Sequence, residues 1–342
     1  MMMRLGSVVK RFRSHQGRQL QSASAAIHSQ RRQSSFLDSI TFSVVKVLSI
    51  TRLTDSLHPW RFSDVEEGNG SGFVISGRRI ITNAHVVTGS TYVQIMKMGS
   101  GTKYKASIQA FGHGCDLAML VVDSEEFWKD LKPLDLLSEM PRLFQTVRVV
   151  GYPEASPSPV ESFPASLQLF TVTANLLPAF QVDAAINNGN SGGPVFIGKS
   201  VAGIAFEGLD ECQNIWYVIP SPLLLLFLSS IERNKGVGSF CSLGVFTQPM
   251  ENTMMRDYFG MKEKMTGIVV TRVYKLSRRI KTLMENDVLL AVNGNPIQND
   301  GEVSIGINLE GFIALKKPME NVCFDVLRKG VISQMTLRLS ND

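Results

Sequence analysis

Cysteine is scarce in this chain, and its spacing excludes several kinds of site. Four of the 342 residues are cysteines, and they are scattered widely as Cys115, Cys212, Cys241 and Cys323. No two of them lie at the short spacing of a metal-binding pair. In a reducing compartment such residues are expected to remain thiols. We therefore expect neither a metal nor another cofactor.

Long apolar runs are also absent. No stretch reaches the roughly 18 apolar residues that a membrane-spanning helix needs, so no membrane span is expected. The most apolar segment runs from Leu223 to Leu228, and Pro220, Pro222 and Glu232 bound it. This pattern predicts a buried helix that closes the first domain.

Acidic residues are missing from the N-terminus. Residues 1–33 contain seven Lys or Arg residues and no Asp or Glu. Leu5, Val8, Val9 and Phe12 fall on one face of a helix among these basic residues. An amphipathic, Arg-rich segment without acids indicates an organellar transit peptide over residues 1–33. The mitochondrial matrix is the expected destination and the chloroplast the alternative; a disordered basic tail would have the same composition.

The basic leader accounts for the positive charge of the whole chain. The formal net charge is +5, but the residues after position 33 hold 28 basic and 30 acidic side chains. A net charge near zero gives no electrostatic footprint for nucleic acid. We expect no nucleic-acid partner.

Short apolar segments dominate residues 43–219, and Gly, Pro, Asn and Ser interrupt them. Many short strands at this spacing predict an all-β barrel or sandwich. The chain is long for one domain and suits two. The polar segment Glu232 to Gly236 is the expected linker between them.

Three short motifs carry candidate catalytic residues. Ser191 lies in the glycine-rich turn from Asn187 to Pro194, between two apolar segments. A serine hydroxyl is a poor nucleophile unless a base lies within hydrogen-bond reach. His85 follows an apolar strand and Asp116 opens another. The order His, Asp, Ser is that of the chymotrypsin-like proteases and differs from other triad orders.

These motifs resemble those of the Deg/HtrA family of ATP-independent serine endopeptidases, particularly its plant organellar members. The matching segments are Thr82 to Val87, Asp116 to Ala118 and Gly189 to Pro194, and the resemblance extends from about Val45 to near the C-terminus. It implies a mainly β chain, with a chymotrypsin-like double β-barrel protease domain over residues 40–232. The active site would lie in the cleft between the barrels. The family also implies a homotrimer or larger homo-oligomer.

The resemblance also assigns roles to individual residues. His85 would take the proton of Ser191 while Asp116 holds the imidazole in the required tautomer. The backbone amides of Gly189 and Ser191 would form the oxyanion hole. By the same resemblance, three residues would line the specificity pocket: Ile204, Ala205 and Phe206.

A PDZ-like domain is expected over residues 236–342. The segment Asp287 to Gly294, a strand that ends in a tight Asn-Gly turn, resembles PDZ domains. Such domains capture a peptide C-terminus by strand addition, and loop amides hold its carboxylate. The matching loop consists of Cys241, Ser242, Leu243 and Gly244. An α+β domain without a peptide-binding role is the alternative, since fold does not imply function.

Two departures from the family pattern leave a second function open. Asn188 stands where the family usually has proline. The segment Glu154 to Phe180 contains four prolines and lacks the expected strand motif. Because proline is confined to strand edges and bulges, this pattern predicts a rebuilt or missing cleft wall. The two hypotheses are a serine endopeptidase acting on unfolded or damaged mitochondrial proteins, and a catalytically impaired peptide-binding or chaperone-like protein of the same fold.

Overall fold

The computed structural model describes residues 40–339, except 53–57, 59, 61–63, 155, 157, 162–164, 173–177, 184–187, 209–214, 235, 275–281 and 305. The predicted transit peptide, residues 1–33, lies outside these described residues. Its assignment stays a prediction.

A closed β-barrel forms the first part of the described chain. Its strands close in the order β1-β2-β3-β6-β5-β4. They are β1 (Val44–Thr51), β2 (Glu66–Ile75), β3 (Arg79–Asn83), β4 (Ser90–Lys97), β5 (Lys103–Gly112) and β6 (Leu117–Val121). The one-turn helices α1 (Ala84–Val87) and α2 (Glu125–Trp128) follow β3 and β6. Buried β-branched side chains such as Val45, Val47 and Ile80 fill the barrel, as expected for residues that pack well on a pleated surface.

A second barrel follows. Its strands are β7 (Thr146–Gly151), β8 (Val160–Glu161), β9 (Ala165–Val172), β10 (Pro178–Asp183), β11 (Pro194–Ile197), β12 (Ser200–Gly208) and β13 (Ile215–Pro220). They run in the order β11-β12-β13-β10-β9-β7, β11 pairs with β7 to close the ring, and β8 pairs with β7 at its edge. The predicted double β-barrel is confirmed.

The proline-containing segment 154–180 keeps paired strands, contrary to the expectation of a missing wall. Strand β9 pairs antiparallel with β10, and the register places Phe180 opposite Phe170. Pro178 is the first residue of β10, a position where the absence of a backbone N–H is tolerated. Pro159 directly precedes β8. These two prolines therefore lie at strand ends and not within strands.

Helix α3 (Ser221–Arg233) packs against both barrels. Leu223, Leu224 and Phe227 are fully buried, which confirms the predicted buried helix. Beyond it, Gly238 donates a backbone hydrogen bond to the Phe111 carbonyl of the first barrel (3.0 Å). In the described part of the chain, no helix is long and apolar enough to span a membrane.

The remaining residues form a separate sheet with its own core. Strands β14 (Val245–Pro249), β15 (Ile268–Val273), β16 (Val288–Val292), β20 (Asn321–Arg328) and β21 (Val331–Arg338) pair in that order, and β17 (Asn295–Pro296) pairs with β16. A ribbon of β18 (Glu302–Ser304) and β19 (Ile307–Asn308) and the helices α4 (Thr253–Tyr258) and α5 (Leu309–Ala314) complete it. Asn293 and Gly294 connect β16 to β17 with positive φ angles of 48° and 77°, the conformation that Asn-Gly turns favour.

Candidate active site

His85 and Asp116 form a hydrogen-bonded pair at one end of the first barrel, where β3 ends and β6 begins. His85 lies in α1, directly after β3, and its Nδ1 is 2.6 Å from Asp116 Oδ2. The backbone N–H of His85 donates to the other carboxylate oxygen at 2.8 Å. The Asp116 side chain is only 11% exposed, whereas that of His85 is 47% exposed. A carboxylate at this position favours the tautomer with the proton on Nδ1, in which Nε2 is the free acceptor nitrogen.

The backbone around Asp116 is fixed by its neighbours. Asp116 ends a short turn at φ 50°, a left-handed conformation that aspartate tolerates better than most residues. Its carbonyl accepts hydrogen bonds from the Ala84 backbone N–H (2.9 Å) and from Asn83 Nδ2 (3.0 Å). These bonds attach the acid to the start of the helix that carries the base.

Ser191 lies in a tight turn that only glycine permits on both sides. Gly189 and Gly192 have φ angles of 93° and 85°. A Cβ atom at Gly192 would lie 2.2 Å from the Ser71 carbonyl oxygen. The Gly192 and Ala205 backbones are joined by a hydrogen bond of 2.9 Å. The turn is thus held against β2 of the first barrel and β12 of the second.

The Ser191 hydroxyl donates to the Phe206 carbonyl at 3.1 Å. Within the described residues it makes no hydrogen bond to His85. The hydroxyl must therefore turn from the Phe206 carbonyl towards His85 before its proton can be taken. The Phe206 ring contacts the imidazole edge to face, with centroids 6.2 Å apart.

Two backbone amides are available for an oxyanion. In the described part of the chain, neither the Gly189 nor the Ser191 N–H donates to a protein acceptor. The Asn188 carbonyl accepts from the Glu154 N–H at 2.7 Å. Since the N–H and C=O of a trans peptide point in opposite directions, this bond turns the Gly189 N–H away from Glu154. A Cβ at Gly189 would lie 2.5 Å from the Tyr152 carbonyl oxygen, so the turn requires glycine here.

Ser71 connects the first barrel to this turn, a role that the sequence analysis missed. Its buried hydroxyl accepts from the Tyr152 N–H and donates to the Gly189 carbonyl, both at 2.7 Å. Its backbone N–H donates to the Ser191 carbonyl at 2.8 Å. Ser71 stands between Gly70 and Gly72 in β2, and this close packing of small residues was the only signal in the sequence.

A polar cavity of about 370 Å³ lies beside the triad. Its lining includes His85, Gly189, Ser191 and the exposed side chains of Glu66 and Glu67. The three residues expected to form the specificity pocket do not line this cavity. Ile204 and Ala205 are fully buried, and Phe206 packs against the same core from its edge. Their assignment to a specificity pocket stays a prediction.

Cys241, Ser242 and Leu243 of the predicted carboxylate loop line a second, mainly apolar cavity of about 490 Å³ between β14 and α5. Cys241 and Leu243 are buried in its wall, and Ser242 is exposed. Gly244 has a φ of 61°. Burial raises the pKa of the Cys241 thiol to about 11. Among the described residues, no group of His, Cys, Asp and Glu side chains is arranged to hold a metal ion.

Comparisons with known proteins point to one family. A family model described as a trypsin-like peptidase domain matches residues 70–203. Protease Do-like 4, mitochondrial, of Arabidopsis thaliana is 43% identical over 305 residues, which cover 87% of this chain and 59% of that protein. The Arabidopsis protein named putative protease Do-like 3, mitochondrial, is 42% identical over 304 residues, which cover 86% of this chain and 54% of that protein. The chain thus spans a little over half the length of these curated relatives.

A solved structure supports the fold. The HtrA-type protease AlgW with decapeptide superposes with a TM-score of 0.67 and 21% sequence identity. The match covers 90% of this chain and 98% of that one.

Proposed function

The chain belongs to the Deg/HtrA (protease Do-like) family of serine proteases, and we propose that it is a serine endopeptidase acting on unfolded or damaged proteins in mitochondria. The observation that carries this proposal is the arrangement around Ser191. His85, hydrogen-bonded to Asp116, borders the same cavity as the Gly189 and Ser191 amides, which have no acceptor among the described residues.

The proposed reaction is acyl transfer in two stages. The Ser191 oxygen bonds to the scissile carbonyl carbon while its proton passes to His85 Nε2. The resulting oxyanion accepts hydrogen bonds from the Gly189 and Ser191 amides. The carbon–nitrogen bond then breaks as His85 returns the proton to the leaving amine. Water, activated by the same histidine, releases the acid and restores the Ser191 hydroxyl.

One segment matches the sequence pattern of an ATP-binding loop but does not have the fold of one, which is consistent with ATP independence. Gly193 to Ser200 fits the G-x-x-x-x-G-K-S pattern of phosphate-binding loops. In such loops successive backbone amides surround phosphate at the start of a helix. Here the segment is the hairpin of β11 and β12, and its strand pairing engages the backbone. Pro194 also supplies no N–H. The match therefore offers no phosphate site.

The cellular part of the proposal rests on the leader and the relatives. Residues 1–33 have the composition of a transit peptide, and two relatives carry the word mitochondrial in their names. Import of the labelled full chain into isolated mitochondria, with isolated chloroplasts as the comparison, tests this part. Homo-oligomerisation, which the family suggests, is tested by light scattering of the purified chain.

Labelling with a fluorophosphonate probe tests the catalytic part directly. The probe reacts with an activated serine next to an assembled oxyanion hole. We expect the purified chain to be labelled, and Ser191→Ala and His85→Ala to lose the label. Cleavage of reduced, unfolded protein faster than of its folded form would support the proposed substrate class. A folded chain that is never labelled contradicts the protease proposal.

Peptide binding without cleavage is the second candidate. The Ser191 hydroxyl engages the Phe206 carbonyl instead of His85, and an apolar groove adjoins the predicted carboxylate loop. We propose that residues 236–342 act as a PDZ-like domain that captures a peptide C-terminus along β14. In a protease this domain would deliver substrate, whereas in a non-catalytic protein it would be the main functional site.

A further inference from the structure

The groove between β14 and α5 is apolar along most of its walls but contains a carboxylate. Glu310, in the first turn of α5, is the one acidic lining residue in the described part of the chain. The apolar side chains around it come from the loop, the strand and the helix: Phe240, Leu243, Val245, Ile313 and Ala314. A ligand in this groove would therefore meet one negative charge in apolar surroundings.

A hydrogen bond crosses the groove at this carboxylate. Thr247 Oγ1, on β14, donates to Glu310 Oε1 at 2.9 Å. Strand β14 is an edge strand, because in the described sheet it pairs with β15 alone. Its residues Val245, Phe246 and Thr247 line the groove. The bond thus joins the two walls between which an added strand would have to lie.

Strand geometry indicates which ligand residue meets Glu310. The predicted carboxylate loop, 241–244, directly precedes β14, so a captured C-terminus would lie at the start of that strand and the peptide would run antiparallel to it. Successive side chains of a strand point to opposite faces. Val245 and Thr247 are both half-buried, whereas Phe246 between them is exposed. The last ligand side chain therefore lies near Val245, and the side chain two positions earlier lies near Thr247 and Glu310.

A strand that enters the groove must separate Thr247 from Glu310. The half-buried carboxylate then loses its donor, which is unfavourable unless the ligand replaces it. Lysine or arginine replaces the donor with a charge-assisted bond, whereas alanine offers none and glutamate adds repulsion. We propose that the groove selects protein C-termini that end in an apolar residue and carry Lys or Arg two positions before it, with Glu310 as the residue that recognises the cation. This inference rests on the proposed capture of C-termini.

The test uses the full chain with Ser191→Ala, so that no peptide is cleaved. Fluorescein-labelled decapeptides ending in Lys-Ala-Val, Ala-Ala-Val or Glu-Ala-Val are titrated with protein and followed by fluorescence anisotropy. A Lys-Ala-Val peptide with an amidated C-terminus differs from the free peptide only in lacking the terminal carboxylate, so the difference in their affinities measures carboxylate capture. Glu310→Gln keeps an acceptor for Thr247 but removes the charge, and Glu310→Lys inverts it. Circular dichroism confirms that each variant is folded.

We expect the lysine peptide to bind about fivefold more tightly than the alanine peptide, as for a partly exposed ion pair, and the glutamate peptide to bind most weakly. Glu310→Gln should remove the preference and Glu310→Lys should reverse it. Carboxylate-dependent binding with equal affinity for all three peptides would overturn the selectivity and leave C-terminus capture intact. Equal binding of the free and amidated lysine peptides, or no binding, would overturn both.

Discussion

Around Ser191 the backbone does most of the positioning, whereas in the groove beside β14 the side chains do. The turn that carries Ser191 is held by backbone hydrogen bonds from the Glu154 N–H to the Asn188 carbonyl and from the Ser71 N–H to the Ser191 carbonyl. In the groove, the Thr247–Glu310 bond and apolar side chains define the surface. Backbone-held groups need no reorganisation during reaction, while side chains can exchange partners when a ligand enters. The first arrangement suits catalysis and the second suits selective binding.

The largest effect is expected for Asp116→Asn, which should lower hydrolysis without changing peptide binding in the groove. In Asp116→Asn the amide cannot hold the imidazole in the tautomer that leaves Nε2 as a base, so the hydrolysis rate should fall by about 10⁴-fold. Peptide affinity of the groove should stay within about twofold, because Asp116 is not among the residues that line it. Steady-state hydrolysis of an unfolded protein substrate and peptide titration measure the two quantities.

Asp123→Asn is the matched control for this change. Asp123 is an exposed acid shortly after β6, so its loss removes the same charge without touching the imidazole. Hydrolysis should remain close to the unmodified rate. A rate in Asp116→Asn equal to that of this control would mean that the His85–Asp116 contact does not support catalysis.

Ser71→Ala should have an intermediate effect that is confined to the cleft. The change leaves the Tyr152 N–H and the Gly189 carbonyl without their shared partner in a buried site. We expect a loss of about 1–3 kcal/mol in the free energy of unfolding. Hydrolysis should fall by about tenfold to about 100-fold as the oxyanion turn shifts.

Ser230→Ala distinguishes positioning from simple destabilisation. Ser230 is also buried, donates to the Phe227 carbonyl at 2.8 Å and accepts from the Ser239 N–H at 3.1 Å. It lies in α3, away from the triad. A similar loss of stability with little loss of hydrolysis is expected here. If both variants lost activity equally, Ser71 would have a structural role only.

Features that depend on local sequence patterns could be predicted, whereas side-chain contacts between distant residues could not. The double barrel and the helix from Leu223 to Leu228 could be predicted because each depends on a pattern of neighbouring residues, whereas the triad, which was inferred from three separate motifs, stays a prediction. Ser71 was missed since its partners, Tyr152 and Gly189, are distant in the sequence and a single serine carries no pattern. Prolines in the segment 154–180 suggested a rebuilt or missing wall, yet strand β10 is present and begins at Pro178. Glu310 could not be assigned, because its role depends on Thr247 across the groove.

The smallest expected effect compares two thiols, one from each site. Burial raises the pKa of Cys115, next to the catalytic acid, to about 12, and that of Cys241, in the groove wall, to about 11. A raised pKa keeps a thiol protonated, so the reactive thiolate appears only as the pH rises. Among the three cysteines that the structure describes, iodoacetamide at pH 8, followed by peptide mass spectrometry, should modify the partly exposed Cys323 first, Cys241 more slowly and Cys115 last.

Repeating the modification with a bound peptide tests whether the peptide occupies the groove. A bound C-terminal peptide should slow the modification of Cys241, whose residue lines the cavity, and leave the rates at Cys323 and Cys115 unchanged. Raising the pH from 8 to 9 should increase the thiolate fraction of both buried cysteines about tenfold, and so their rates, because both remain far below their pKa values. Rapid modification of Cys115 at pH 8 would show that the turn holding Asp116 opens in solution. The cleft would then not be rigid, and its proposed difference from the adaptable groove would be contradicted.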